Sequence, residues 1–159
     1  MTQKKKTERI LSIFHLLRYC NEVSFKEVTD YCGAVSRKTV YRDICLLRQL
    51  GLQIEFKKNL KAYVLLQERK PPHFPKNQTQ QLYRKKILRL IDMMLNMDRA
   101  DDPVAWYCEN YPGLNVRTMQ RDFKILGPIG YEVRYMRGVD ERGEHPPNKY
   151  YCEWPYGVY

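Results

Sequence analysis

Apolar residues recur at helical spacing near the start of the chain. The positions that would share one helix face are Ile10, Ile13, Phe14 and Leu17. They predict a first helix over residues 7–20, after a basic arm at residues 2–6. Ser24, with Glu27 three residues later, has the spacing of a capping box, which predicts a short second helix over residues 24–31.

A third helix is predicted from Ser36, which can cap it, to Gly51, which can end it. Its apolar stripe consists of Val40, Ile44 and Leu47, at i, i+4 and i+7. Beyond Gly51 apolar and polar residues alternate, and a second apolar run follows at residues 63–66, as in the two strands of a β-hairpin. The basic residues at the tip of this hairpin are Lys57, Lys58 and Lys61.

Most of this pattern returns 79 residues later along the chain. The segment SRKTVYRDICLLRQLGLQIEF at residues 36–56 is matched by NVRTMQRDFKILGPIGYEVRY at residues 115–135. The matching positions are Thr39 and Thr118, Arg42-Asp43 and Arg121-Asp122, Leu47 and Leu126, and Gly51 and Gly130. A repeated module predicts two domains of one kind, although the length alone would suggest a single domain.

The helices of the second module follow the same order. The first is predicted over residues 78–96, where apolar residues again recur at helical spacing. Asp101 or Asp102, just before Pro103, can start the second helix, which Pro112-Gly113 ends.

The third helix of the second module can be capped by Asn115 and closes at Gly127-Pro128. The strands of the second hairpin are predicted at residues 132–136 and 149–154. The connection between them is long and rich in charge, glycine and proline, and its Arg137 and Arg142 could reach a phosphate backbone.

The boundary between the two modules is predicted in the segment QERKPPHFPKN at residues 67–77, whose three prolines make it a stiff linker. Residues 1–66 would form the first domain and residues 78–159 the second, with an extended hairpin. The expected fold class is mainly α with small β-hairpins, α+β overall. Three helices followed by a hairpin make a winged helix-turn-helix, here two in tandem.

The polar face of the third helix is basic in both copies. In the first copy it carries Lys38, Tyr41, Arg42, Cys45 and Arg48, and in the second Arg117, Gln120, Arg121 and Lys124. Such a helix can enter the major groove of DNA, where these side chains contact base edges and phosphates. The hairpin lysines would then touch phosphate or the adjacent minor groove, unless they belong to an ordinary solvated turn.

The composition narrows the class of protein. The formal net charge is +10, and residues 1–70 carry 15 Lys and Arg against 7 Asp and Glu. This balance fits nucleic acid, an anionic membrane surface or an acidic partner. Residues 71–159 are closer to neutral, with 13 against 11.

The chain lacks the sequence signals that are usual for metal-binding proteins, enzymes and membrane proteins. The five cysteines include no C-x-x-C pair and the three histidines have no ligand spacing, so we expect reduced cysteines, a cytoplasmic protein and no metal. Without a nucleophile motif or a phosphate-binding glycine loop, neither an enzyme nor a cofactor is expected. No apolar run is long enough to cross a membrane.

The run SRKTVYRDI, followed by a leucine, Gly51-Leu52-Gln53-Ile54 and a Tyr-x-Leu strand at residues 63–65, resembles the DeoR-like winged helix of bacterial WYL-domain transcription regulators. The second copy is similar in weaker form, so the likeness covers most of both modules. Two features depart from that family: Ala62 stands where glycine is usual, and the remaining length cannot hold a WYL domain.

The resemblance implies that residues 36–48 form the recognition helix and that some combination of Arg37, Lys38, Thr39, Tyr41 and Arg42 meets DNA. Thr39 could bind a phosphate or only support the turn. Asp43 and Asp122 are poor phosphate neighbours, so we expect each to hold a nearby arginine or backbone donor. The full predicted DNA-binding set is Ser36, Arg37, Lys38, Thr39, Tyr41, Arg42, Arg48, Lys57, Lys58, Lys61, Asn115, Arg117, Thr118, Gln120, Arg121 and Lys124.

The leading hypothesis is a sequence-specific regulator of transcription that binds double-stranded DNA with both modules, as a dimer of single modules would. A homodimer is possible, and no small-molecule effector is expected. Two alternatives keep the fold. The second module, with aromatic residues near its end, could serve dimerisation or a protein partner, or the chain could be a plasmid or phage replication initiator.

Overall fold

The structure of the protein, a computed structural model, describes residues 4–136 and 149–153. Within these residues the fold is mixed α+β, mostly helical, with six α-helices and two small antiparallel sheets. The described chain forms two compact units, the first ending at Arg89 and the second starting at Leu90. None of the helices in these two ranges has the length and apolar character needed to span a bilayer.

The first unit opens with three helices, α1 (Lys6–Tyr19), α2 (Phe25–Cys32) and α3 (Arg37–Gln49). The predicted capping box of α2 is confirmed: the Glu27 amide donates to Ser24 Oγ at 3.2 Å, and the Ser24 amide donates to the Glu27 carboxylate at 2.6 Å. Residues 4–6, the described part of the predicted basic arm, do not form a separate arm. The Lys4 amide donates to the Cys32 carbonyl at 3.1 Å, and Lys6 begins α1.

The three helices pack their apolar stripes together. Nearly inaccessible side chains in this core include Ile10, Ile13, Phe14, Leu17, Val28, Val40, Ile44 and Leu47. Burial of each such side chain stabilises the unit by roughly 1.5–3 kcal/mol relative to an exposed one. The stripes predicted for the first and third helices are therefore confirmed.

A three-stranded antiparallel sheet completes the first unit, in the order β1 (Val23–Ser24), β3 (Ala62–Arg69), β2 (Leu52–Lys57). The pairing of β2 with β3 is the predicted hairpin. The sequence did not predict β1, since two residues are too few to show an alternating pattern. The last residues of β3 lie inside the predicted linker at residues 67–77, because Leu52 pairs with Arg69.

Gly51 lies in the short connection between the end of α3 and the first residue of β2. Its φ is 99°, in the left-handed region, and its carbonyl accepts a hydrogen bond from the Lys70 amide at 2.8 Å. A Cβ atom at this position would lie 2.0 Å from the Lys70 carbonyl oxygen. Only glycine therefore fits both the conformation and the close approach of the two backbones.

We predict that Gly51→Ala lowers the free energy of unfolding by roughly 2–4 kcal/mol, from backbone strain together with steric overlap. The measurement is urea unfolding followed by circular dichroism. Gly127→Ala is the matched control, since Gly127 has helical φ and ψ and a Cβ there meets no atom within 4 Å. Equal losses in the two variants would contradict the role assigned to Gly51.

The segment after the sheet also belongs to the first unit. The His73 amide donates to the Gln49 carbonyl at 2.7 Å, and Arg84 Nη1 donates to the His73 carbonyl at 3.1 Å. Tyr83 OH lies 3.2 Å from Thr7 Oγ1 on α1. Because of these contacts, the units divide within a helix and not in the segment where we predicted the domain boundary.

That helix is α4 (Gln78–Asn96), with the bounds predicted for it. The second unit continues with a 3-10 helix (Met97–Arg99), α5 (Pro103–Asn110), α6 (Val116–Leu126), a further 3-10 helix (Gly127–Ile129), and strands β4 (Val133–Met136) and β5 (Lys149–Cys152). The end of the predicted second strand, residue 154, lies outside the described residues. So do Arg137 and Arg142, for which a phosphate contact was predicted.

The predicted caps of the second unit are confirmed. Asp102 Oδ1 accepts from the Val104 amide at 2.9 Å, and Asn115 Oδ1 accepts from the Thr118 amide at 2.9 Å. Gly130, the match of Gly51, is also left-handed, with φ 112°. The two repeated segments thus share a capped helix, a left-handed glycine and a following strand.

A histidine, His15, lies in the core of the first unit. His15 on α1 is 1% exposed and lies 4.8 Å from the Tyr19 ring and 6.3 Å from the Tyr31 ring, centroid to centroid. Burial lowers its pKa to about 4, and the positive charges of Arg18 and Lys4 act in the same direction. The imidazole is therefore neutral in the folded protein at neutral pH.

This pKa makes stability depend on pH. Below about pH 6.5 the unfolded chain binds a proton that the folded chain takes up only near pH 4, so the free energy of unfolding falls as the pH falls between these values. We predict a loss of about 2 kcal/mol between pH 7.5 and pH 5, measured by urea unfolding. His15→Phe should lose much less over the same range; an unchanged pH dependence in this variant would contradict the prediction.

Candidate nucleic-acid interface

Helix α3 is two-sided in the way the sequence predicts. Its apolar stripe is buried, whereas Arg37, Lys38, Tyr41 and Arg42 are exposed. Tyr41 is 56% accessible, a large value for an aromatic side chain. Its hydroxyl forms a hydrogen bond with Cys45, which raises the Tyr41 pKa.

A buried ion pair fixes the rotation of α3 about its own axis. Asp43, which follows Arg42 directly, is 3% exposed, and its carboxylate accepts from Arg9 Nε at 2.5 Å and from Arg9 Nη2 at 3.1 Å. This two-point contact raises the Arg9 pKa above its ordinary value. The prediction that Asp43 holds an arginine is confirmed.

The matching residue of the second unit, Asp122, is also buried, at 1% exposure. Its carboxylate accepts a 2.7 Å hydrogen bond from the Tyr107 hydroxyl on α5. This donor is a tyrosine, a kind of partner that the sequence did not predict. In both copies the aspartate after the outward arginine thus points into its own unit.

We predict that Asp43→Asn lowers the free energy of unfolding by roughly 3–5 kcal/mol, because it leaves the Arg9 guanidinium buried without its counterion. Asp30→Asn is the matched control. Asp30 forms an exposed i,i+4 pair with Lys26 at 3.3 Å, which is worth at most about 0.5 kcal/mol. Urea unfolding of both variants tests this, and a similar small loss in each would show that the buried pair is dispensable.

Several predicted contact residues have local partners. Ser36 Oγ accepts from the Thr39 amide at 3.1 Å and lies 3.0 Å from Thr39 Oγ1, so both hydroxyls support the start of α3. Arg48 Nε donates to the Ile54 carbonyl at 2.8 Å, which ties the end of α3 to β2. The cap predicted at Ser36 and the supporting role considered for Thr39 are therefore confirmed, whereas the sequence pattern assigned no such role to Arg48.

The lysines of the first hairpin are exposed, as predicted. Lys57 Nζ is paired with the Glu55 carboxylate at 2.9 Å, which reduces its availability for another anion. Lys58 has no ion pair within the described part of the chain. Lys61 occupies the left-handed turn position, with φ 50°.

A groove of about 510 Å³ separates α3 from this hairpin. Its apolar walls include Tyr41, Phe56 and Tyr63, the last two with ring centroids 5.1 Å apart. Basic side chains stand at its edges: Arg37, whose guanidinium carbon is 4.3 Å from the Phe25 ring centroid, and Lys26 and Lys61.

In the second unit α6 has the corresponding polarity. Met119 and Leu126 are buried, and the predicted residues Arg117, Gln120, Arg121 and Lys124 are all exposed. Asn115 caps the helix, because its side-chain oxygen accepts a hydrogen bond from the Thr118 amide.

Three basic residues at the first-unit surface were absent from the predicted set. Lys26 lines the hairpin groove, and Lys6 and Arg84 line a second groove on the other flank of α3. The capping box placed Lys26 on α2, but no local pattern relates α2 to the hairpin. Lys6 was assigned to the arm and Arg84 to the second domain, and only tertiary packing brings them beside α3.

The comparison with known proteins gives no independent assignment: no family model and no curated protein matches the chain. Across residues 4–136 and 149–153, no group of three His, Cys, Asp or Glu side chains is placed to hold a metal ion. The interface is therefore interpreted from its own geometry and charge.

Proposed function

We propose that the protein binds double-stranded DNA in a sequence-specific manner, with α3 as the recognition helix of a winged helix-turn-helix. The observation that carries this proposal is the amphipathic character of α3. Arg37, Lys38 and Arg42 are exposed together, because the apolar stripe and the Arg9–Asp43 pair occupy the opposite side of the helix. An α-helix fits the major groove, which is about 12 Å wide.

The hairpin supports the same proposal. It follows α3 directly and carries exposed Lys58 and Lys61, where a wing would contact phosphate or the minor groove. Arg37, at the first residue of α3, lies at the edge of the groove between the two elements. Arg37 of α3 and Lys61 of the hairpin thus line the same groove.

We propose the second unit as a further winged helix-turn-helix of the same origin, with α6 as its recognition helix. The matching cap, glycine and buried aspartate support this, together with the basic exposed face of α6. A chain of this kind would act as a cytoplasmic transcription regulator with a DeoR-like DNA-binding part, and it would read a site with two parts.

The second unit has one feature that favours a protein partner. Tyr135 and Tyr150 face each other across β4 and β5, with ring centroids 4.9 Å apart, and remain 45% and 41% exposed. Paired exposed tyrosines are typical of protein interfaces. Dimerisation or partner binding by the second unit is therefore the second candidate, and the α6 substitutions below separate it from DNA binding.

We predict that DNA selected from random sequence is bound with an affinity that falls steeply between 50 and 200 mM salt, as expected for several phosphate contacts. The bound site should cover roughly ten to twenty base pairs in a footprint. Fluorescence anisotropy measures the affinity. An affinity that stays flat over this salt range would contradict DNA binding.

On the selected DNA, Lys38→Ala with Arg42→Ala should weaken binding roughly 10- to 100-fold, because both side chains lie on the exposed face of α3 that the proposal places against DNA. Arg117→Ala with Arg121→Ala removes the same number of charges from α6 and should cost less, since most of the net charge lies in residues 1–70. Equal losses would overturn this ranking. A complete absence of loss in the α6 variant would leave the second unit to a protein partner.

A further inference from the structure

The flank of α3 that faces away from the hairpin carries a second groove, of about 550 Å³. Three elements line it: α1 contributes Lys6, α3 contributes Arg42 and Gln49, and the start of α4 contributes Arg84. The groove is more polar than the aromatic groove on the hairpin side. It continues past Lys6 and Arg84 to Thr79 and Gln80 in the first turn of α4.

The charge of this groove is positive and uncompensated. Arg9 and Asp43 also line it, but they neutralise each other in the buried ion pair. Lys6, Arg42 and Arg84 remain, and in the described residues no carboxylate lies within 4 Å of their charged nitrogens. Three cations held together without counterions favour a polyanion.

Local contacts position two of these cations. Lys6 Nζ lies 5.1 Å from the centroid of the Tyr83 ring, whose hydroxyl is 3.2 Å from Thr7 Oγ1. Arg84 donates through Nη1 to the His73 carbonyl at 3.1 Å. Both side chains are thus attached to the first unit while they face the groove.

The two grooves both border α3 and share Tyr41 as a lining residue. A helix inserted in the major groove has one sugar-phosphate backbone on each side. Tyr41 lines both grooves and so stands on the ridge between them. On one side of this ridge are Arg37 and Lys61, and on the other the uncompensated cations of the second groove.

We propose that Lys6, Arg42 and Arg84 bind the phosphates of the DNA strand that lies opposite the hairpin. This inference rests on the proposed function and adds a phosphate-binding site to it. It also gives the first turns of α4, which the sequence assigned to the second domain, a role in binding by the first unit.

The test compares Lys6→Ala with Arg84→Ala against a matched control in the same two segments, Lys5→Ala with Lys85→Ala. Lys5 and Lys85 are exposed, carry the same charge and line neither groove. The groove variant should bind about tenfold more weakly than the control variant at 100 mM salt. The slope of log affinity against log salt should fall by about 2, one phosphate contact for each residue.

Phosphate contacts carry no sequence information, so the groove variant should lose affinity equally for the selected DNA and for scrambled DNA of the same length. A loss confined to the selected DNA would overturn the assignment to phosphates. Lys6→Gln with Arg84→Gln is the second variant, since glutamine can still donate to the His73 carbonyl; it should repeat the loss with an unchanged unfolding transition.

The two proposals fail in different ways. If the unaltered protein shows no salt-dependent binding of duplex DNA, the proposed function is overturned. If the unaltered protein binds and both groove variants match the Lys5 and Lys85 control in affinity and salt slope, only the phosphate site is overturned.

Discussion

The buried contact between Arg9 and Asp43 is the constraint on which the surface of the first unit depends. A carboxylate next to Arg42 would repel phosphate if it faced outward, and an unpaired guanidinium on α1 would be costly inside the core. Pairing the two satisfies both requirements and leaves no carboxylate on the outer face of α3. The ion pair thus joins the packing of α1 against α3 to the electrostatics of the exposed surface.

Local sequence signals account for most of the helices. Ser24, Ser36, Asp102 and Asn115 each cap a helix at the predicted position, since a capping residue acts on amides two or three positions away. The apolar stripe of α3 likewise determines which of its residues face outward. For these reasons the exposed part of the predicted contact set could be read from the sequence.

The remaining features depend on contacts between residues far apart in the sequence. The pairing of Val23 with Tyr63 cannot be seen in a two-residue strand, and the Arg48 bond to Ile54 depends on how β2 leaves α3. The attachment of Tyr83 and Arg84 to the first unit crosses a proline-rich segment that looks like a linker. Sequence periodicity describes one element at a time, so it assigned α4 to a single domain.

Helix α4 also limits how the molecule can be dissected. A fragment truncated at residue 66 would lack the last residues of β3 and the Lys70 amide that closes on Gly51. It would lose Tyr83 and the completely buried Ile87 as well. A shortened protein meant to isolate the first unit should therefore extend at least to Arg89, which lies within α4.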